Sequence, residues 1–111
     1  MIAEAKFDVA AMRQAAGQAG ALLKALSNPD RLLLLCQLTE GERCVSDLEE
    51  ALGIFQPTLS QQLGVLREER LVATRRDGKR IFYRIASDPA LAVMRVLHDQ
   101  FCNSKQGDDN D

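Results

Sequence analysis

The chain has 111 residues, of which 46% are hydrophobic, and this size and composition predict one globular domain with its own core. Its net charge of −2 gives no overall attraction to nucleic acid, and its longest apolar run, residues 32–36, is far too short to span a membrane. The N-terminal residues carry several charges and lack the apolar segment of a signal peptide. We therefore expect a cytoplasmic protein whose three cysteines stay reduced.

Two helices are predicted in the first part of the chain. Alanine, glutamine and leucine at helical spacing indicate a first helix over residues 9–26. The sequence SNPD then begins a second helix, residues 29–39, with Ser27 or Asn28 as its N-cap. This second helix is apolar on nearly all sides, so we expect most of it to be buried.

A helix-turn-helix follows. Ser46 and Glu49 form an S-x-x-E pattern that predicts a capping box at the start of a short third helix, which Gly53 ends. A fourth helix has Pro57 in its first turn and leucine at every third or fourth position. A short helix, a turn opened by glycine and a second amphipathic helix together predict this motif.

The outward face of the fourth helix is predicted to be polar but almost uncharged. A purely structural surface helix more often carries Glu and Lys in pairs. Short hydroxyl and amide side chains are instead the types that hydrogen-bond base edges in the major groove of DNA. A solvated surface helix is the alternative. The DNA contacts predicted on and around this helix are Gln56, Thr58, Ser60, Gln61, Gln62 and Arg67.

A basic hairpin is predicted next. Residues 71–76 and 80–85 are strand-like, with a turn at Asp77-Gly78. Residues 61–84 hold seven basic and three acidic side chains, whereas residues 40–50 hold five acidic and one basic. Basic side chains on such a wing contact phosphates while a helix reads bases. The wing residues predicted to contact DNA are Arg75, Lys79 and Arg80.

The fold class predicted from these elements is mainly α-helical, a winged helix-turn-helix of about five helices. The last helix begins at Asp88 and ends near Cys102, and the polar tail, residues 103–111, is expected to be disordered, so the domain is residues 1–102. The first and last helices have surplus apolar surface, which predicts a homodimer. Two-fold symmetry would place two recognition helices about 34–36 Å apart, suited to an inverted repeat in double-stranded DNA.

The chain resembles the ArsR/SmtB family of bacterial repressors over nearly its whole length, through the motifs NPDRLLLL, DLEEALGIFQPTLSQQLGVLREERLV and RRDGKRIFYRI. The resemblance implies a dimeric winged-helix repressor that leaves DNA when an inducer acts. Two residues depart from the family pattern. Phe55 replaces a serine that commonly starts the recognition helix, which weakens its N-cap, and Gln62 replaces a common histidine, which alters operator choice.

Two cysteines resemble the sensing pair of the dithiol branch of this family, which includes BigR, SqrR and HlyU. They are Cys36 in LLCQL and Cys102 in LHDQFC. The resemblance implies that reactive sulfur species or oxidants link these two thiols and release the protein from DNA. A packing role remains the alternative for Cys36, because free cysteine is among the most buried residue types.

The metal sites of the family are incomplete in this sequence. One such site uses a C-V-C pair, but here Ser46 stands in place of the second cysteine, and a hydroxyl is a poor ligand for thiophilic metals, so Cys44 is expected to be a partly exposed residue without a function. The single histidine, His98, does not complete the site found on the last helices. Its spacing of four residues from Cys102 predicts a shared helix face, but a lone His and Cys more often pack than bind a metal. We therefore expect no metal and no cofactor.

Two alternative functions remain open from the sequence. One is a metal-responsive repressor that uses Cys44. The other is a winged-helix regulator without an inducer, acting as an activator or antagonist. An enzyme is not expected, since no nucleophile–base set or phosphate-binding loop is visible in the sequence.

Overall fold

The structure, a computed structural model, describes residues 8–102. Within that range a π-helical turn, His98–Cys102, continues the last of five α-helices. The elements are α1 (Val9–Leu26), α2 (Pro29–Leu38), β1 (Arg43–Cys44), α3 (Val45–Leu52), α4 (Thr58–Glu68), β2 (Val72–Asp77), β3 (Arg80–Ile85) and α5 (Asp88–Leu97). This order confirms the predicted winged helix-turn-helix. The predicted polar tail lies outside the described residues.

Side-chain caps begin three of the helices. Asp8, Asn28 and Ser87 each accept a hydrogen bond from a backbone N–H two or three residues later, at 3.0–3.1 Å. These bonds satisfy N–H groups that have no partner inside the helix. Asn28 is therefore the cap of α2, and Pro29 follows it in the first turn, as the SNPD sequence indicates.

The start of α3 differs from the prediction. Ser46 and Glu49 do not form the capping box. Cys44 is the N-cap instead, and its backbone N–H donates to the carboxylate of Asp47 at 3.3 Å. The difference arises because β1 pairs with β3 up to Cys44, so the chain enters the helix directly from a strand. The sequence analysis did not predict this two-residue strand.

The wing is an antiparallel sheet of strand order β1-β3-β2. Asp77 pairs with Arg80, so the loop consists of Gly78 and Lys79 and lies one residue later than predicted. Gly78 has φ +65°, a conformation that glycine adopts without strain at the first position of a two-residue hairpin loop.

The core lies between α2, α3, α4 and the wing. Its six fully buried large side chains are all leucines: Leu34, Leu35, Leu48, Leu59, Leu63 and Leu66. Burying each such side chain contributes about 1.5–3 kcal/mol. The expectation that most of α2 is buried is wrong, because only Leu34, Leu35 and Leu38 of its ten residues are buried and Leu33 is 46% exposed.

Helix α1 projects from this core. Only Ala25 and Leu26 at its C-terminal end are buried, and most of its other residues are exposed. Among residues 8–102, no helix combines the length and apolar character needed to cross a membrane.

Candidate nucleic-acid interface and cysteine cleft

Helix α4 divides into a buried stripe and an exposed face. Leu59, Leu63 and Leu66 recur every three or four residues and pack into the core. Ser60, Gln61, Gly64 and Arg67 lie on the exposed side. Gly53, with φ +68°, ends α3 and allows the chain to turn towards α4. Ser60, Gln61 and Arg67 are therefore placed where DNA could reach them, and their contacts stay predictions.

The start of α4 is held by Gln56. Its side-chain oxygen accepts from the backbone N–H of Ser60 at 3.1 Å, while the N-cap position itself, Pro57, offers no side-chain bond. Gln56 thus supplies the side-chain acceptor at the start of α4 that a serine in place of Phe55 would otherwise supply. The amide N–H₂ of Gln56 is still able to donate to a base, because only its oxygen takes part in this bond.

Thr58 and Gln62 do not belong to the exposed face, contrary to the prediction that these polar residues share one outward surface. Both are half-buried. Gln62 follows Leu59 by three residues and therefore lies beside the buried stripe. Its side-chain oxygen accepts from Nη1 of Arg31 in α2, at 2.8 Å.

Arg75 lies in the middle of β2 and has an acidic partner. Its Nε lies 2.9 Å from Oε2 and 3.0 Å from Oε1 of Glu42. This hydrogen bond is the main cause that lowers the pKa of Glu42 and raises the pKa of Arg75. The guanidinium also lies 4.7 Å from the ring centre of Phe82, its cross-strand neighbour. The acidic segment after α2 and the basic hairpin therefore meet at this pair.

The tip of the wing is different. Lys79 and Arg80 are exposed, and within residues 8–102 no carboxylate forms an ion pair with either of them. Both side chains are thus accessible to a phosphate backbone, and their DNA contacts stay predictions, whereas Arg75 is paired with Glu42.

Cys36 and Cys102 line the same cleft, which has a volume of about 340 Å³. On one side lies a stripe of α2, formed by Pro29, Leu32, Leu33 and Cys36, and on the other lie Met94, His98 and Cys102. Each set recurs at three- or four-residue spacing, as the face of a helix does. Both thiols are free, with Cys36 half-buried and Cys102 exposed.

The environment of Cys36 favours its neutral form. Burial raises the pKa of the Cys36 thiol, and the neighbouring Cys102 and Glu40 raise it further. On another side of Cys36 lies a second cleft, of about 380 Å³, whose lining includes the charged residues Glu40, Arg95 and Asp99. Cys36, Met94 and His98 line both clefts, so the thiol of Cys36 lies where an apolar and a charged cleft meet.

Cys44 is buried, not partly exposed as the sequence analysis expected for a residue without a function. It is 3% exposed, and its Sγ lies 3.3 Å from Oγ of Ser46. Within residues 8–102, no three His, Cys, Asp or Glu side chains are grouped as metal ligands. Cys44 therefore has a structural place at the start of α3.

Three contacts in these regions were not predicted from the sequence. They are the pairing of β1 with β3, the hydrogen bond from Arg31 to Gln62 and the hydrogen bond from Arg75 to Glu42. Only the last had a signal, since the opposite net charges of residues 40–50 and 61–84 indicate that the two segments attract each other. The exposed side chain of Phe55, 63% accessible beside Gln56, was considered only as a missing cap.

Residues 28–74 match the family model described as bacterial regulatory protein, arsR family. The biofilm growth-associated repressor of Xylella fastidiosa (strain Temecula1 / ATCC 700964) is 50% identical over 95 residues, which are 86% of this chain and 83% of that protein. The transcriptional activator HlyU of Vibrio cholerae serotype O1 is 37% identical over 95 residues, 86% of this chain and 88% of that one.

Solved structures of similar proteins share the fold. The transcriptional repressor BigR from Xylella fastidiosa superposes with a TM-score of 0.79 at 49% identity, over 86% of this chain and 98% of that one. Reduced HlyU from Vibrio cholerae gives 0.79 at 37% identity, over 82% and 96%. A homodimeric winged helix-turn-helix DNA-binding domain from Mycobacterium bovis gives 0.70 at 30% identity, over 92% of each chain. The chain therefore belongs to the arsR family of bacterial regulatory proteins.

Proposed function

We propose that this regulator is a dimeric repressor that leaves its DNA operator when reactive sulfur species or oxidants link Cys36 to Cys102 within one subunit. The observation that carries the proposal is the single cleft that both free thiols line, between α2 and the end of α5. The repressing role is supported by the biofilm growth-associated repressor, since it shares more of this sequence than the activator HlyU does.

DNA binding is assigned to α4 and the wing. The exposed hydroxyl and amide of Ser60 and Gln61 can hydrogen-bond base edges in the major groove, near the N-terminal part of α4 where recognition helices contact bases. Lys79 and Arg80 are assigned to phosphates. The contact of Arg75 with Glu42 supports a role in holding β2 against the segment before β1 rather than in binding DNA.

Dimerisation is assigned to α1 and the last helix. Several large apolar residues of these helices each expose more than two-fifths of their surface to solvent. They are Val9, Met12, Leu23, Val96 and Phe101. An isolated protomer would leave this apolar surface in water, which a two-fold partner would cover. The homodimeric domain from Mycobacterium bovis supports the same assembly. Two copies would then bind an inverted repeat.

The proposed chemistry begins at Cys102, because that thiol is exposed while burial raises the pKa of the Cys36 thiol and so lowers its thiolate fraction. The Cys102 thiolate attacks the outer sulfur of a persulfide R–S–SH, the S–S bond breaks, and R–S⁻ leaves, giving Cys102–S–SH. The Cys36 thiolate then attacks the inner sulfur, and HS⁻ leaves as the disulfide closes. If Cys36 first accepts an outer sulfur as well, closure with loss of H₂S gives a trisulfide.

Oxidants lead to the same bridge by another step. Peroxide converts the Cys102 thiolate into a sulfenic acid with release of hydroxide, and attack by the Cys36 thiol expels water. A direct disulfide requires Cα atoms about 4.4–6.8 Å apart, whereas an inserted sulfur atom relaxes that limit. Both bridges join α2 to the dimerisation surface, so the spacing of the two recognition helices is expected to change.

The proposal is tested with the variants Cys36→Ser, Cys102→Ser and Cys44→Ser, each treated with glutathione persulfide, then analysed by intact mass and DNA binding. Cys102→Ser should block modification, and Cys36→Ser should stop at a persulfide on Cys102. Cys44→Ser is the matched control and should respond like the unaltered protein. A bridge through Cys44, or a normal response without Cys36, would overturn the proposal and return Cys36 to a packing role.

A further inference from the structure

Arg31 joins three elements of the domain through one guanidinium group. Its Nε donates to the backbone carbonyl of Ala25, and its Nη2 donates to that of Lys24 at 3.4 Å, both near the C-terminal end of α1. Its Nη1 donates to the side-chain oxygen of Gln62 in α4, at 2.8 Å. Arg31 itself lies in the first turn of α2.

The chemistry of these three bonds favours a fixed arrangement. The last carbonyls of a helix have no partner inside it, and they attract positive charge because of the helix dipole. The guanidinium is planar and presents its N–H donors at set angles, so binding the end of α1 also sets the direction in which Nη1 points. The position of α1 and α2 therefore determines the direction of the hydrogen bond that Nη1 donates to Gln62.

Gln62 is well placed to transmit this constraint to α4. Its side chain is half-buried next to the stripe of core leucines, so its oxygen faces α2 and not the exposed face of α4. The apolar stripe sets how deeply α4 packs, but the hydrophobic effect that drives this burial has no direction of its own. A directional hydrogen bond beside the stripe fixes the rotation of the helix about its axis.

We propose that Arg31 and Gln62 are positioning residues for DNA recognition, a role that rests on the proposed function. The pair holds α4 at the rotation that presents Ser60 and Gln61 to the base edges. Gln62 itself makes no base contact, so the sequence-based prediction that it reads DNA is replaced by this role. A Gln in place of the histidine common in the family then affects operator choice through helix orientation.

The test begins with a DNA site that the reduced wild-type protein selects from a randomised double-stranded library. Affinity for this site is measured for Arg31→Lys, Gln62→Leu and the double variant, and for Gln61→Ala alone and combined with Arg31→Lys. Each change at the pair should weaken binding about threefold to tenfold, the range expected for one lost hydrogen bond. The double variant should be no weaker than the weaker single variant, because either change breaks the same bond.

The combination of Arg31→Lys with Gln61→Ala tests whether the pair acts through the exposed face of α4. Gln61 lies on the face that the pair presents to DNA, so the combined loss of affinity should be smaller than the product of the two single losses. Gln62→Glu gives a second readout, since a carboxylate still accepts from Arg31 but lacks the N–H₂ group with which an amide reads adenine. This variant should keep the affinity and the base preference of the wild type. Thermal unfolding of each variant identifies any loss of affinity that reflects misfolding, and the Gln62 variants carry the test if Arg31→Lys does not fold.

Three results would overturn the role of the pair alone. They are losses at Arg31 and Gln62 that multiply, an altered base preference in Gln62→Glu, and a salt dependence that Arg31→Gln, which removes the positive charge, flattens by about one unit. The last result would make Arg31 a phosphate contact. Failure of the reduced wild-type protein to select any sequence would instead overturn the proposed function, and the role of the pair with it.

Discussion

Linking Cys36 to Cys102 should stabilise the folded protomer while lowering its affinity for DNA. Cys102 follows Cys36 by 66 residues, so the bridge closes a long loop in the unfolded chain. The entropy that such a loop removes from the unfolded state corresponds to about 4 kcal/mol at room temperature. Part of this gain is offset by native-state strain, because Cys36 lies on a helix anchored by fully buried leucines and can shift little. We expect a net gain of about 2–4 kcal/mol.

Urea unfolding measures this gain. The reduced and the persulfide-treated protein are compared at one protomer concentration, because the stability of a dimer depends on concentration. The treated protein should unfold at higher urea, and with a smaller dependence of unfolding free energy on urea, since a cross-linked unfolded chain exposes less surface. Treated Cys102→Ser should show neither change, whereas treated Cys44→Ser should show both.

Two results would contradict this reasoning in different ways. A bridged protein with unchanged or lower stability would mean that closing the bridge distorts the fold by as much as the loop entropy provides. A bridged protein with higher stability but full DNA affinity would show that the bridge forms but does not control DNA binding. The second result would favour a regulator whose inducer acts elsewhere.

Three further expectations concern the wing, pH and metals. Arg80→Ala should weaken binding to all DNA sequences and flatten the dependence of DNA affinity on salt. Arg75→Ala should leave the salt dependence nearly unchanged, because Arg75 is already paired with Glu42. Equal effects of the two variants in a salt titration would contradict this assignment. Since the pKa of Cys36 is raised, the rate of bridge closure, followed by rapid acid quenching and mass analysis, should reach its plateau at a higher pH than the same reaction of an ordinary thiol. A plateau at the same or a lower pH would be inconsistent with that. Zinc, cadmium and arsenite should not release DNA at low micromolar concentration, and release that disappears in Cys44→Ser would support the metal-responsive alternative.

Much of the fold could be predicted from local signals. The bounds of α1, the cap of α2 at Asn28, and the end of α3 at Gly53 all match the expectations from the sequence. Each depends on a cap, a proline or a glycine within a few residues of the helix end, so the information is local. The capping box at Ser46 was wrong because a strand 36 residues further along the chain, β3, pairs with the chain up to Cys44.

The site was predicted less well, because its geometry depends on contacts between distant residues. Gln62 was assigned to the outward face from its residue type, yet its partner Arg31 lies 31 residues earlier. Arg75 was assigned to DNA from its charge, yet Glu42 lies 33 residues before it. The spacing of His98 and Cys102 did indicate a shared helix face, but no local pattern could show that this face meets Cys36 on α2.

Helix α2 connects these features, since its sides face different partners. Leu34 and Leu35 anchor it in the core, Cys36 faces the end of α5, and Arg31 bonds to α1 and α4. Arg31 and Cys36 are five residues apart, so they point to different sides of the helix. On the proposed function, a bridge that pulls on Cys36 would strain a helix whose other side holds the recognition helix. Because packed cores transmit strain instead of absorbing it, the Arg31–Gln62 bond would then give the thiol pair a defined route to α4. The coupling between Arg31 and Gln62, measured in the reduced and in the bridged protein, should therefore be smaller after bridging, and an identical coupling in both forms would place the route elsewhere.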